Sequence, residues 1–247
     1  MEETIVKELK GYSGSKIYLM QNNEHLFIRK LGNVERNHER LTALFGNYNV
    51  PKIYKKENEI LDMEYIHGLD MKNYLRTNNT VNLIEFIANI IRSFSLNGID
   101  KDYTEVYNSK LKWIDDVDSL PFTRQELIDK LPKVLPQSEY HGDLTLENII
   151  KTDDKFYMID AVTIEYDSWV FDIAKLRQDL DCRWFLRESN LMLDVKLKNI
   201  QNKILELFSL ANNDYLLILM LIRVLAHAPK ESFENKFILK EINKLWK

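Results

Sequence analysis

Residues 140 to 150 read Tyr-His-Gly-Asp-Leu-Thr-Leu-Glu-Asn-Ile-Ile. Asp143 and Asn148 stand five positions apart, and His141 sits two before the acid. A carboxylate can take the proton of an attacking hydroxyl, and a neighbouring amide oxygen can hold a magnesium ion against phosphates. Phosphoryl transfer needs both jobs done, and the pattern His-Gly-Asp-x4-Asn supplies both in one loop. Asp143 is the expected catalytic base and Asn148 an expected metal ligand. His141 is expected to hydrogen-bond the loop backbone and hold its shape, since Asp143 already supplies the base.

A second cluster follows. Phe156-Tyr157-Met158-Ile159-Asp160 is an apolar run ending in an acid. It reads as a short buried strand that delivers a carboxylate at its exit. Asp160 is therefore the second expected metal ligand, and both it and Asn148 offer the hard oxygen that suits Mg²⁺. The triplet Ile159-Asp160-Ala161 lacks the Phe and Gly of a protein kinase's Asp-Phe-Gly. Asp172-Ile173-Ala174-Lys175-Leu176 then reads as a helix opening, with Asp172 at an N-cap position. Only 11 residues separate Asp160 from Asp172, and no Ala-Pro-Glu occurs in the chain. A protein-kinase activation segment does not fit there.

The order His-Gly-Asp-x4-Asn, Ile-Asp, then Asp-x-Ala resembles the aminoglycoside phosphotransferase and choline kinase superfamily. The resemblance is specific over residues 138 to 180, looser over 8 to 75, and fades after about 185. It implies an α+β, protein-kinase-like two-lobed fold, with a small antiparallel β N-lobe and a mostly helical C-lobe. It implies ATP and Mg²⁺ as cofactors and a small-molecule hydroxyl as acceptor. It also gives Asp172 an alternative role, as the buried acid that braces the catalytic loop. Phe171-Asp172-Ile173-Ala174-Lys175-Leu176 is similar to members from capsule and lipopolysaccharide biosynthesis, which implies a sugar acceptor.

The elements that must position these groups are legible in outline. Residues 17–20 and 25–30 read as paired strands turning through 21–24, and 33–45 has helical spacing. Residues 51–54 and 60–65 give two more strands, turning through 55–58. Gly68-Leu69-Asp70 breaks the pattern, so the expected division is an N-lobe over 1–66 and a C-lobe over 67–247. Helical periodicity continues over 82–94, 124–131, 190–210, 215–226 and 233–246.

Several nucleotide contacts are expected in the N-lobe. Gly11-Tyr12-Ser13-Gly14-Ser15-Lys16 precedes the first strand, and backbone amides at Gly11, Ser13, Gly14 and Ser15 could approach phosphates. Arg29 and Lys30 alternate across one strand, so one alone can face the nucleotide. Lys30 is the expected phosphate contact, because Ile28 on its face could cover the adenine. The helix that follows should supply an acid to hold it, with Glu39 the choice and Glu35 the reserve. Glu64, Tyr65 and Ile66 leave the last strand where a kinase hinge would bind the adenine edge through its backbone.

Composition sets bounds. The chain has 247 residues, 45% hydrophobic, with formal net charge −4 and pI about 5.8. No basic stripe suggests nucleic acid. The lone Cys182 suits a reducing cytoplasm. No apolar run approaches the ~20 residues a membrane span needs. Asp181, Arg183, Trp184 and Arg187 could line an acceptor pocket for a sugar or polar amine. Trp169, Trp184 and Tyr166 could build an aromatic cage for choline or ethanolamine. An aminoglycoside acceptor would call for a dense acidic run, which the C-terminal third does not show. A non-catalytic nucleotide-binding pseudokinase is the alternative of another class, resting on the missing Gly after Asp160. Oligomeric state is not legible.

Overall fold

The computed structural model describes residues 3–9, 15–23, 25–117 and 119–247. The chain divides into two compact units, one from residues 1–77 with 146–164, the other from 78–145 with 165–247.

The first unit is built on a five-stranded antiparallel sheet in the order β1-β2-β3-β5-β4. Its elements are β1 (Glu3–Leu9), β2 (Lys16–Asn22), β3 (His25–Leu31), α1 (Glu35–Leu44), β4 (Ile53–Glu57) and β5 (Ile60–Glu64). Two tight turns set the registers. Asn23 (φ 35) closes β2 on β3, and Asn58 (φ 44) closes β4 on β5, where Glu57 pairs with Ile60. Asparagine tolerates this left-handed backbone better than most residues. The β4–β5 turn thus falls at Asn58–Glu59, later than the 55–58 expected. Helix α1 buries Leu41 and Leu44, the apolar face that its sequence spacing gives it.

A second, three-stranded sheet completes this unit in the order β10-β9-β6. Strand β6 (Leu69–Asp70) leads into α2 (Met71–Thr77). Strand β9 (Ile149–Lys151) pairs with β6, and β10 (Phe156–Met158) pairs with β9. The returning segment is also tied to the loop after α1: Met158 N donates to Asn49 O at 2.9 Å, and Asn49 Nδ2 donates to Phe156 O at 3.1 Å. Gly68 is required here, because a Cβ on it would stand 2.5 Å from the Lys151 carbonyl oxygen.

The second unit is mainly helical. It contains α3 (Val81–Phe94), α4 (Thr104–Lys110), α5 (Arg124–Lys130), α6 (Trp169–Leu180), α7 (Asp194–Leu207), α8 (Asp214–Leu225) and α9 (Phe233–Leu245). A two-stranded ribbon, β7 (Ile99–Asp102) with β8 (Val134–Gln137), precedes the His-Gly-Asp motif. Helix α5 starts with a Thr123–Glu126 capping box, and Asn213 caps α8 by accepting from Tyr215 N at 2.8 Å. Leu216 to Ile222 of α8 are all buried, so this helix forms the unit's apolar centre against α6 and α9. Tyr103, Tyr107, Tyr166 and Phe171 pack as one aromatic cluster, with Tyr103 and Phe171 centroids 5.0 Å apart.

Candidate active site

In the helical unit, the loop that carries His141, Gly142 and Asp143 is gripped from behind by α6. That helix starts one turn earlier than the sequence suggested: its N-cap is Ser168, whose hydroxyl accepts from Val170 N. Asp172 is thus inside the helix, and the N-cap expectation for it is corrected. Its buried carboxylate accepts from His141 N at 2.5 Å and from Gly142 N at 2.8 Å. That is the loop-bracing alternative. Gly142 has φ 89, a backbone state that glycine adopts without the steric cost a Cβ would bring. His141 is fully buried, and its Nδ1 accepts from Asp143 N at 3.3 Å, a contact within the loop.

Asp143 is half-buried beside two cations. Lys175 Nζ stands 3.1 Å from its Oδ1. Arg223, on α8, donates to Gly142 O at 3.4 Å and lies over the Tyr166 ring at 5.5 Å. Burial alone would push the Asp143 carboxyl up, but the Lys175 and Arg223 charges outweigh it and hold it below the usual range. The group is a carboxylate at neutral pH, which is the form that can accept a hydroxyl proton.

In the sheet unit, Asn148 ends a short 3-10 turn, Leu146–Asn148, just before β9. Asp160 follows β10 in a left-handed conformation, φ 57. The two are tied through the backbone, since Ile159 N donates to Asn148 O at 2.9 Å. That bond sets the segment carrying Asp160 beside Asn148, and their amide and carboxylate side chains are the hard-oxygen donor types that fit a magnesium ion.

Lys30 is buried on β3, and its Nζ lies 2.6 Å from Asp160 Oδ1. The neighbour that competed for this role is spent elsewhere. Arg29 makes a two-pronged pair with Asp62 at 2.7 Å and reaches Glu3 at 2.8 Å, so it knits the sheet. The Asp62 hydrogen bond raises the Arg29 guanidinium further above its already high range. The expected helical acid is corrected. Glu39 is exposed on α1 and does not pair with Lys30, while Glu35 pairs with Lys56. The α1 side chain that faces Asp160 is Asn37, whose Nδ2 donates to Asp160 Oδ1 at 3.0 Å and to Ala161 O at 2.9 Å. Sequence reasoning missed Asn37 because it searched that helix for acids alone.

Gly11, Ser13 and Gly14 lie outside the described residues. Ser15 immediately precedes β2, beside Gly32. Glu64 ends β5 with its amide bonded to Lys52 O at 2.8 Å, and Tyr65 and Ile66 follow as irregular chain.

No protein-family model matches the chain. An aminoglycoside 3'-phosphotransferase from Staphylococcus aureus is 29% identical over 212 residues, covering 71% of this chain and 81% of that protein. Among solved structures, choline kinase LicA from Streptococcus pneumoniae aligns with TM-score 0.58 and 17% identity, over 99% of this chain and 94% of that one. The ADP-bound aminoglycoside phosphotransferase APH(2'')-Ib aligns with TM-score 0.58 and 15% identity, over 99% of this chain and 92% of that one. The chain is thus similar in sequence to an aminoglycoside 3'-phosphotransferase and shares its fold with aminoglycoside phosphotransferase and choline kinase structures. The α+β, kinase-like fold expected from the catalytic motif is the fold observed.

The residues expected to line an acceptor pocket divide in two. Asp181 and Arg183 line a pocket of about 420 Å³ in the helical unit, together with Arg177, Asp194, Lys198 and Asp214. Asp181 accepts from Arg177 Nε at 2.8 Å, and burial pushes its carboxyl up. Arg183 pairs with Asp194 at 3.0 Å. Trp184 instead belongs to the core, edge-on to Phe237 at 5.7 Å, with Arg187 stacked on it at 4.2 Å. The aromatic cage does not form: Tyr166 packs with Tyr107 and Phe171, Trp169 with Phe208, and Trp184 with Phe237. Three rings in three separate clusters cannot enclose one quaternary amine. Burial also pushes the Cys182 thiol up, away from nucleophilic thiolate chemistry. No helix among the described residues is long and apolar enough to cross a membrane.

Proposed function

We propose that this chain is a small-molecule kinase that moves the γ-phosphoryl group of ATP to an acceptor hydroxyl. The observation that carries the reading is Asp143. It is held ionised by Lys175 and Arg223 on a loop whose backbone Asp172 clamps. The acceptor oxygen forms a bond to the γ-phosphorus as the bond to the β,γ-bridging oxygen breaks and ADP leaves. The hydroxyl proton passes to the Asp143 carboxylate. Lys30 contacts the α and β phosphates. Ser15 and the residues before it cover the phosphates, and the backbone of Glu64, Tyr65 and Ile66 receives the adenine edge. Asn148 and Asp160 would hold magnesium, which supplies positive charge to the phosphates. Residues 1–66 serve the nucleotide and 67–247 the catalytic loop and acceptor.

The acceptor we favour is a sugar or related metabolite, with a place in surface polysaccharide synthesis. The scattered Tyr166, Trp169 and Trp184 count against a caged choline. The 29% identical aminoglycoside relative keeps an aminoglycoside as the second choice.

ADP release with a panel of sugars, amino alcohols and aminoglycosides tests this. Wild type should turn over at least one class, and Asp143→Ala should lose about 10²-fold or more in kcat while still binding ATP. Equal rates for the two proteins on every acceptor would remove Asp143 from the chemistry. Nucleotide binding that ignores Mg²⁺ would favour a pseudokinase.

A further inference from the structure

Helix α6 touches the catalytic loop twice. Asp172 holds the amides of His141 and Gly142 at 2.5 and 2.8 Å. Lys175, three residues further along, brings Nζ to 3.1 Å from Asp143 Oδ1. Residues three apart share one helical face, so both contacts come from one rigid edge. They do different work. The Asp172 contact acts on the loop backbone, at the amides of His141 and Gly142. The Lys175 contact fixes the carboxylate itself.

Lys175 is well placed to fix it. Its side chain is about one-tenth exposed, on a helix whose twelve residues are all buried. A buried ammonium cannot move to another site without losing its charge partner, which is costly in a low-dielectric setting. The groups facing Asp143 are Lys175 from α6, Arg223 from α8 and His141 in the loop, with Asp172 behind the loop amides. Arg223 touches the loop through the Gly142 carbonyl, whereas Lys175 contacts the carboxylate itself.

We infer that Lys175 is a positioning residue for the phosphoryl transfer: it holds Asp143 Oδ1 so that the carboxylate meets the acceptor hydroxyl in one orientation. The inference rests on the kinase reading above. A lysine that merely stabilised the fold would also be buried and paired, so the test must ask whether Lys175 acts through Asp143.

A double-mutant cycle does so. Lys175→Met should lower kcat by about 10- to 100-fold, the scale expected for a misdirected reacting group, with the KM for ATP within about twofold. The acid limb of the kcat/KM profile should move to higher pH, because Asp143 loses the cation that keeps it ionised. Lys175→Arg should recover much of the rate. In an Asp143→Asn background, Lys175→Met should cost nothing further. Wild-type kcat in Lys175→Met, or losses that multiply in the double variant, would overturn the inference. Equal activity in Asp143→Asn and wild type would instead overturn the kinase reading. A second readout is independent of turnover: the ¹³C carboxyl signal of Asp143, assigned by its loss in Asp143→Asn. Its titration should move to higher pH in Lys175→Met, or in Lys175→Gln if the methionine variant is poorly folded. An unmoved titration refutes the role whatever the acceptor proves to be.

Discussion

Replacing Asp172 with Asn keeps the shape of the brace and removes its charge. In the native protein one carboxylate serves two backbone amides, at 2.5 Å from His141 N and 2.8 Å from Gly142 N. An asparagine has a single acceptor oxygen. Its NH₂ must face the other amide, donor against donor. Hydrogen bonds to a charged group contribute about 1.5–3 kcal/mol, and a stranded buried N–H costs about 1–3 kcal/mol. These overlap, so the expected loss is about 2–4 kcal/mol. In a chain of 247 residues, each kcal/mol moves Tm by about 2–4 °C, which gives a fall of roughly 4–16 °C. Calorimetry measures that fall, and hydrogen exchange localises it. One of the two loop amides should exchange on the order of 10²-fold faster, since about 1.4 kcal/mol is tenfold in an opening equilibrium. A Tm within 1 °C of wild type, with both amides still protected, would refute the bracing argument.

Three more outcomes follow from the geometry. Lys30→Met should weaken ATP binding by about tenfold or more, read by calorimetry, because charge-assisted contacts to phosphate are lost. Gly68→Ala should destabilise the chain by about 1–3 kcal/mol in urea, since the new Cβ would meet a backbone carbonyl held in the β6–β9 ladder at 2.5 Å. Asp167 is pushed up by burial but held below the usual carboxylate range by Lys101, Gln137 and Tyr103, which all donate to it. A depressed folded-state pKa gives stability that is complete above the ordinary value near ~4 and lost as pH falls from there through the folded value. Asp167→Asn should therefore flatten the stability profile in that acid window, measured by urea unfolding at a series of pH values.

The amount of this that was readable in the sequence varied with the range of the interaction. The His141–Asn148 motif stood out because its residues are local. So did α3, α5, α8 and α9, whose apolar positions repeat at helical spacing. Strand β1 did not, because it is an edge strand whose residues are nearly all exposed and carry no alternation. The partner of Lys30 was sought on the next helix and proved to be Asp160, 130 positions away. No local pattern encodes that distance. The sequence does contain a hint for Asn37, a polar residue on the helical face of Leu41 and Leu44, but a search confined to charge passes over it. The return of residues 146–164 to the sheet unit depends on β9 pairing with β6, a ladder between segments some eighty residues apart. The misjudged start of α6 has a simpler cause. Ser168 and Asp172 are both good caps, and the Asp172 carboxylate is engaged by the amides of His141 and Gly142 while Ser168 accepts from Val170 N.

All twelve residues of α6 are buried, from Trp169 to Leu180. A helix with no solvent face has no spare positions, so mutational drift there meets a penalty at nearly every step. Beyond it, positions such as Arg183, Arg187 and Asp194 are partly exposed between buried neighbours, and substitutions at those positions disturb the packing least. Libraries that vary the pocket lined by Asp181 and Arg183 belong at the exposed positions around it, with the preceding helix left untouched as the fixed frame.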